Sequence, residues 1–171
     1  MRALVCEQLG PISSHSIKDI DAPTPGKGQV ALAVKACGVN FADTLIVQGL
    51  YQEKPELPFV PGAEVAGEVI ALGEGVKGVT VGQRVIALTS TGGFAEVALA
   101  NAATLIPMPD EVSFTDAAAF TIAYGTSHVA LETRARLKSG ETLMINGASG
   151  GVGLTAVEIG KQMGATVIGL A

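Results

Sequence analysis

Residues 142–171 leave the least freedom to any fold this chain adopts. An apolar run, Thr142-Leu143-Met144-Ile145, reads as a buried strand, and Asn146-Gly147-Ala148-Ser149-Gly150-Gly151-Val152-Gly153 follows it at once. Leu154 to Met163 then has helical spacing, and Ala165 to Ala171 is a second apolar run. Strand, glycine turn, helix and strand in that order make the opening βαβ unit of a dinucleotide-binding fold. In its fingerprint one glycine makes the tight turn, a second lets backbone approach a pyrophosphate, and a third lets helix and strand pack closely. Those positions fall on Ala148, Gly150 and Gly153, with Gly147 and Gly151 adding room. The free N–H groups at the start of the helix then face phosphate, where the helix dipole favours negative charge. The competing reading is a glycine-rich turn without a ligand; the strand before it, the helix and the second strand favour the cofactor. About twenty positions on, an acid or a base separates NAD from NADP. That count ends at Leu170 and Ala171, which are neither, so the deciding residue is expected beyond Ala171.

The rest of the chain has a different texture. Gly28 to Ala36, Glu64 to Gly73, Arg84 to Leu88 and Phe94 to Leu99 read as short strands with Gly/Pro punctuation, interrupted by one helical turn near Asn40 to Val47. That pattern predicts a compact β-barrel or sandwich. After Pro107-Met108-Pro109, Ser113-Phe114-Thr115-Asp116 reads as a capped helix start, and a second helical stretch runs from about Tyr124 to Leu137. The predicted organisation is therefore a β domain over 1–112 and an incomplete dinucleotide-binding domain over 113–171.

Composition closes off other classes. With 48% hydrophobic and 16% charged residues, the chain is globular rather than disordered. A net charge of −5 with dispersed lysines and arginines gives no nucleic-acid or anionic-membrane surface. Cys6 and Cys37 are the two cysteines, too few and too far apart for a disulfide framework or a structural zinc site. Met1-Arg2-Ala3-Leu4-Val5-Cys6-Glu7 is no signal peptide, and no run reaches membrane-span length. A cytoplasmic protein is the expectation.

Gly38-Val39-Asn40-Phe41-Ala42-Asp43, Gly49-Leu50-Tyr51, Pro61-Gly62-Ala63-Glu64-Val65-Ala66-Gly67, Gly82-Gln83-Arg84-Val85, Gly92-Gly93-Phe94-Ala95-Glu96 and Ala148-Ser149-Gly150-Gly151-Val152-Gly153 occur in this order. With these motifs the chain resembles the zinc-independent quinone oxidoreductase (zeta-crystallin-like) branch of the medium-chain dehydrogenase/reductase superfamily. The resemblance implies an α/β fold: an N-terminal GroES-like β-barrel domain followed by the first βαβ part of a Rossmann fold, with the active site in the cleft between the two. Zinc-dependent relatives carry a cysteine at the position of Asn40, a histidine at that of Ala63 and a four-cysteine lobe. Of the catalytic set Glu64 remains, while His15 and His128 stand isolated, so no metal is expected.

The resemblance also implies NADPH as cofactor (NADH not excluded), bound through Asn40, Thr126, Ala148, Ser149, Gly150, Gly151, Val152 and Gly153. Asn40 and Tyr51 are the implied catalytic residues, lining the cleft near the nicotinamide, with Thr126 at the carboxamide. Amide and hydroxyl groups suit such work. Each has a second reading: Asn40 as a helix cap, Tyr51 as a packing residue, Thr126 as an ordinary helical hydroxyl. Asp43 reads as structural, with Arg84 as its partner. The implied reaction is hydride transfer to a quinone or an α,β-unsaturated carbonyl, with Tyr51 or solvent as the proton source. A homodimer is expected.

The family's second Rossmann half and returning C-terminal strands are missing from the sequence. The first expectation is therefore a piece of a longer reductase. The alternatives are a short product acting as a binding or structural protein, and a sheet completed by another chain.

Overall fold

The structure, a computed structural model, describes residues 1–171. By its internal packing the chain divides into two compact units, Met1–Ala119 and Phe120–Ala171. Antiparallel strands come first and a parallel βαβ unit second, the architecture the sequence predicts.

In the first unit β1 (Arg2–Val5) pairs antiparallel with β2 (Ser16–Asp19). A five-stranded antiparallel sheet is built from β3 (Gln29–Cys37), β4 (Glu64–Leu72), β5 (Arg84–Leu88), β6 (Val97–Asn101) and β7 (Ile106–Pro107). Its strand order is β6-β3-β4-β5-β7. Side chains alternate across a strand, so Val30 and Leu32, Val65 and Val69, and Val85 and Ala87 fall on one face and form the main core. Valine suits a pleated, buried surface. Register shifts at Ala31/Leu32 and at Val34/Ala36 mark irregularities in β3, the kind of feature that bends a strand.

The fourth expected strand is displaced. It begins at Val97 rather than Phe94, because the Phe94 carbonyl accepts the Leu4 N–H and Ala95 bridges Ala3, which ties this stretch to β1. Two short helices complete the unit. α1 (Phe41–Val47) buries Ile46 and Val47 against Cys6 and Phe59. α2 (Phe114–Ala118) starts where expected: the Ser113 hydroxyl accepts the Asp116 N–H at 3.1 Å. Ala117 and Ala118 then pack with Ala66, Ile86 and Met108, which fastens α2 to the first unit.

The second unit opens with α3 (Thr121–His128), which passes into a π-helical turn over Val129–Arg134. β8 (Thr142–Asn146), α4 (Gly151–Gln162) and β9 (Thr166–Leu170) follow, with β8 and β9 parallel from Thr142↔Thr166 to Asn146↔Leu170. Leu143 and Val167 lie under Gly160 of α4, and Ile145 is buried beside them in the strand pattern. The opposite face of this sheet is bare: Met144, Ile168 and Leu170 are 66%, 48% and 47% exposed. No helix is long and apolar enough to cross a membrane.

Candidate functional site

The residues singled out by sequence lie in both units, and each unit holds its set by different means. In the first, Asn40 stands at the N-terminus of α1 in extended conformation, φ −113° and ψ 153°. Its backbone N–H donates to Asp43 Oδ2 at 2.8 Å, as the acid of a capping box does. Its side chain reaches across to β4, where Nδ2 donates to Glu64 Oε1 at 2.9 Å. Glu64 is 1% exposed, so this is a charge-assisted bond in a dry setting. The bond also orients the Asn40 amide, since only its nitrogen end can donate to a carboxylate.

Asp43 is buried as well and accepts backbone N–H groups from Asn40 and Gly62. Burial outweighs those bonds and holds its carboxyl above the ordinary carboxylate value. The expected Asp43–Arg84 pair does not form. Arg84 sits on β5 and donates to the carbonyls of Asp110 at 2.7 Å and Val112 at 2.6 Å, with its guanidinium 4.7 Å over the Phe114 ring. Arg84 therefore secures the chain leading into α2, and Asp43 secures α1.

Cys37, at the end of β3, lies near both acids. Burial first, then the charges of Asp43 and Glu64, push its thiol up to about 12. A thiol held there is no nucleophile at neutral pH. Tyr51 is half-buried beyond the end of α1, its ring against the Cys6, Ile46, Val47 and Phe59 cluster.

In the second unit the glycine turn is ordered by its own backbone. Gly147 adopts φ +74°, a left-handed conformation that glycine takes freely, and its carbonyl accepts the Gly150 N–H at 3.1 Å. The Ala148 N–H donates to the Leu170 carbonyl at 2.8 Å, tying the turn to the end of β9. Gly150 caps α4, three residues earlier than the sequence suggested, and its carbonyl accepts the Leu154 N–H at 2.8 Å. The N–H groups of Gly151, Val152 and Gly153 are thus the first-turn donors that a helix cannot satisfy internally. Gly153 marks the closest approach: a Cβ there would lie 2.1 Å from the Gly147 carbonyl oxygen and 2.9 Å from Ala148 Cα. Ser149, Gly150, Gly151 and Val152 are exposed, while Ala148 and Gly153 are half-buried. Thr126 is exposed near the C-terminal end of α3.

Sequence reasoning passed over the neighbour of Thr126. Ser127 is 1% exposed and its hydroxyl lies 2.7 Å from the Val152 carbonyl and 2.8 Å from Thr155 Oγ1. Nothing in the run Thr126-Ser127-His128 separates this serine from a surface one, because its partners are 25 and 28 residues away.

No group of three or more histidine, cysteine or acidic side chains is placed to hold a metal ion. The family model of the alcohol dehydrogenase GroES-like domain matches residues 26–110. Quinone oxidoreductase of Rattus norvegicus is 42% identical over 173 residues, an alignment covering 100% of this chain and 53% of that protein. Among solved structures, human synaptic vesicle membrane protein VAT-1 homolog-like protein superposes with a TM-score of 0.96 at 36% identity, covering 100% of this chain and 56% of that one. Escherichia coli quinone oxidoreductase complexed with NADPH superposes with a TM-score of 0.94 at 31% identity, covering 99% of this chain and 52% of that one. The chain spans about half the length of the curated relatives it matches.

Proposed function

The chain belongs to the quinone oxidoreductase branch of the medium-chain dehydrogenase/reductase superfamily, and from that membership we propose that it serves NADPH-dependent, zinc-independent reduction of a quinone or an α,β-unsaturated carbonyl. The observation that carries the cofactor is the cradle at the start of α4. Gly153 lets the Gly147 carbonyl and Ala148 pack where a Cβ would otherwise sit, and the N–H groups of Gly151, Val152 and Gly153 beside it are first-turn donors that a helix does not satisfy internally. Ala148, Ser149, Gly150, Gly151, Val152 and Gly153 would hold the pyrophosphate there, with Thr126 toward the carboxamide. NADPH bound to the Escherichia coli relative supports this reading.

The donor chemistry around Asn40 does not suit zinc. Tetrahedral zinc takes three or four cysteine, histidine or acidic ligands. Here Asn40 and Ala63 stand where zinc-dependent relatives place two of them, and Glu64 is engaged by the Asn40 amide. Polarisation of an acceptor carbonyl then falls to hydrogen bonds.

When bound, the reduced nicotinamide supplies the hydride. The protein's share is position and electrostatics. Glu64 uses one N–H of Asn40 and leaves the second to donate to an acceptor oxygen, in an orientation fixed before the substrate arrives. Reduction of a quinone also needs a proton on oxygen, and the Tyr51 hydroxyl or solvent delivers it. Cys37, held as a neutral thiol, takes no part.

The test is NADPH titration by nicotinamide fluorescence beside NADPH oxidation with a small quinone. Saturable binding and quinone-dependent oxidation are expected. A folded sample that shows no saturable NADPH binding removes the proposal for this chain.

A further inference from the structure

The cradle is only as well placed as the helix that carries it, and α4 is held at its first turn by two buried hydroxyls. Ser127 and Thr155 are 1% and 6% exposed. Ser127 Oγ lies 2.7 Å from the Val152 carbonyl oxygen and 2.8 Å from Thr155 Oγ1. Thr155 Oγ1 in turn lies 3.0 Å from the Val152 carbonyl and 3.1 Å from the Ala123 carbonyl. Two hydroxyl protons are thus shared among two carbonyls and each other, and the Val152 peptide is gripped from a second helix. A threonine bonding the carbonyl three residues back is common within a helix. A serine from another helix on that same carbonyl is not part of helix geometry and demands a fixed placement of α3 against α4.

We infer that Ser127 and Thr155 are positioning residues for the pyrophosphate cradle, an inference that rests on the NADPH reading above. By clamping the Val152 carbonyl they set the direction of the Gly153 N–H, which lies in the same peptide plane, before any ligand arrives. Donors fixed in advance bind without the loss that ordering them would bring. The same anchor places Thr126, one residue before Ser127. A second α3–α4 bond, from the Tyr124 hydroxyl to Glu158 Oε2 at 2.5 Å, is solvent-exposed and lies a turn farther along α4. It provides an internal control, since it joins the same helices without touching the cradle.

Ser127→Ala and Thr155→Val remove one hydroxyl each with little change of volume. Both are expected to weaken NADPH binding about five- to tenfold, the range of one buried hydrogen bond. Adenosine, which has no pyrophosphate, keeps its affinity. Thr155→Ser retains the hydroxyl and restores NADPH binding, and Tyr124→Phe leaves it near wild type. Amide exchange in the ligand-free protein is a second readout: Ser127→Ala speeds exchange at Leu154, Thr155 and Ala156, whereas Tyr124→Phe does not. Unchanged NADPH affinity in both hydroxyl variants overturns the inference, as does an equal loss for NADPH and adenosine. If the wild-type chain binds no NADPH, the functional reading fails by itself, and unchanged exchange in Ser127→Ala then overturns the positioning role separately.

Discussion

The sheet of the first unit and the sheet of the second bury their apolar residues to different degrees. β3, β4 and β5 each have neighbours on both edges, and Val30, Leu32, Val65, Val69 and Val85 are fully enclosed. β8 and β9 have only each other, and one face carries Met144, Ile168 and Leu170 in the open. Apolar burial is the main favourable term in folding, so stability is concentrated in the first unit. The polar groups follow the same division. Asn40 and Glu64 bond inside a packed unit, whereas the cradle of the second rests on backbone turns, a close glycine contact and one buried hydroxyl pair.

The largest expected effect tests that contrast directly. Leu32→Ala should lower the unfolding free energy by about 2–5 kcal/mol, the range for a buried leucine whose cavity closes only partly. Met144→Ala should change it by less than about 0.5 kcal/mol, as at other exposed positions. Urea denaturation of both variants is the measurement. A comparable loss at Met144 would show that the exposed face is covered in solution and break the comparison.

A smaller effect separates two glycines in one turn. Gly153→Ala forces a methyl to within 2.1 Å of the Gly147 carbonyl oxygen. The expected result is loss of NADPH binding and destabilisation of about 1–3 kcal/mol, as for other overpacked sites. Gly151→Ala meets nothing within 4 Å and should leave folding unchanged or slightly improved. Thermal unfolding and NADPH titration of the pair decide it. Equal behaviour would mean that the close approach at Gly153 does not shape the cradle.

These two glycines also show what could be read from sequence. Spacing picked out Gly153 as the close-approach position because the strand–turn–helix order fixes which residue faces the strand. The bounds of β5 and the Ser113 cap were equally legible, since alternation and cap chemistry are local. Arg84 was not: its partners are the carbonyls of Asp110 and Val112, and backbone oxygens carry no residue label. Phe94 and Ala95 look like strand in sequence but are claimed by β1, and Ser127 finds Thr155 only once two helices pack. Local pattern gave the elements, while the polar partners that place the site were set by tertiary contact.

At the next level down, Asn40→Ala deprives buried Glu64 of its amide donor. A destabilisation of about 1–2 kcal/mol is expected, as for loss of one partner of a buried charged acceptor. Asn40→Asp should be worse, because it sets a second carboxylate beside the first. Thermal unfolding near neutral pH checks both. If Asn40→Asp matches wild type, the Asn40–Glu64 bond contributes nothing to holding the site.

The smallest effect is a pair of pH windows, one for each unit. Burial raises the folded pKa of Asp43, so between the ordinary carboxylate value and that raised value the folded chain holds a proton that the unfolded chain has released. Stability from this group is therefore complete below the window and falls as pH rises through it, by less than about 1.4 kcal/mol per pH unit. Asp43→Asn lacks this slope and should gain on the wild type across the acid range, then run parallel to it. In the second unit the hydrogen bond to Glu158 raises the Tyr124 phenol above its ordinary value, which gives the same sign in the alkaline range. Tyr124→Phe should flatten that alkaline slope and leave the acid one intact. Urea midpoints across both ranges, followed by amide signals from each unit, test the assignment. If amide signals of the second unit report the acid slope of Asp43 as strongly as those of the first, or signals of the first report the alkaline slope of Tyr124, the two units unfold as one body and the division between a well-buried and a half-covered unit fails.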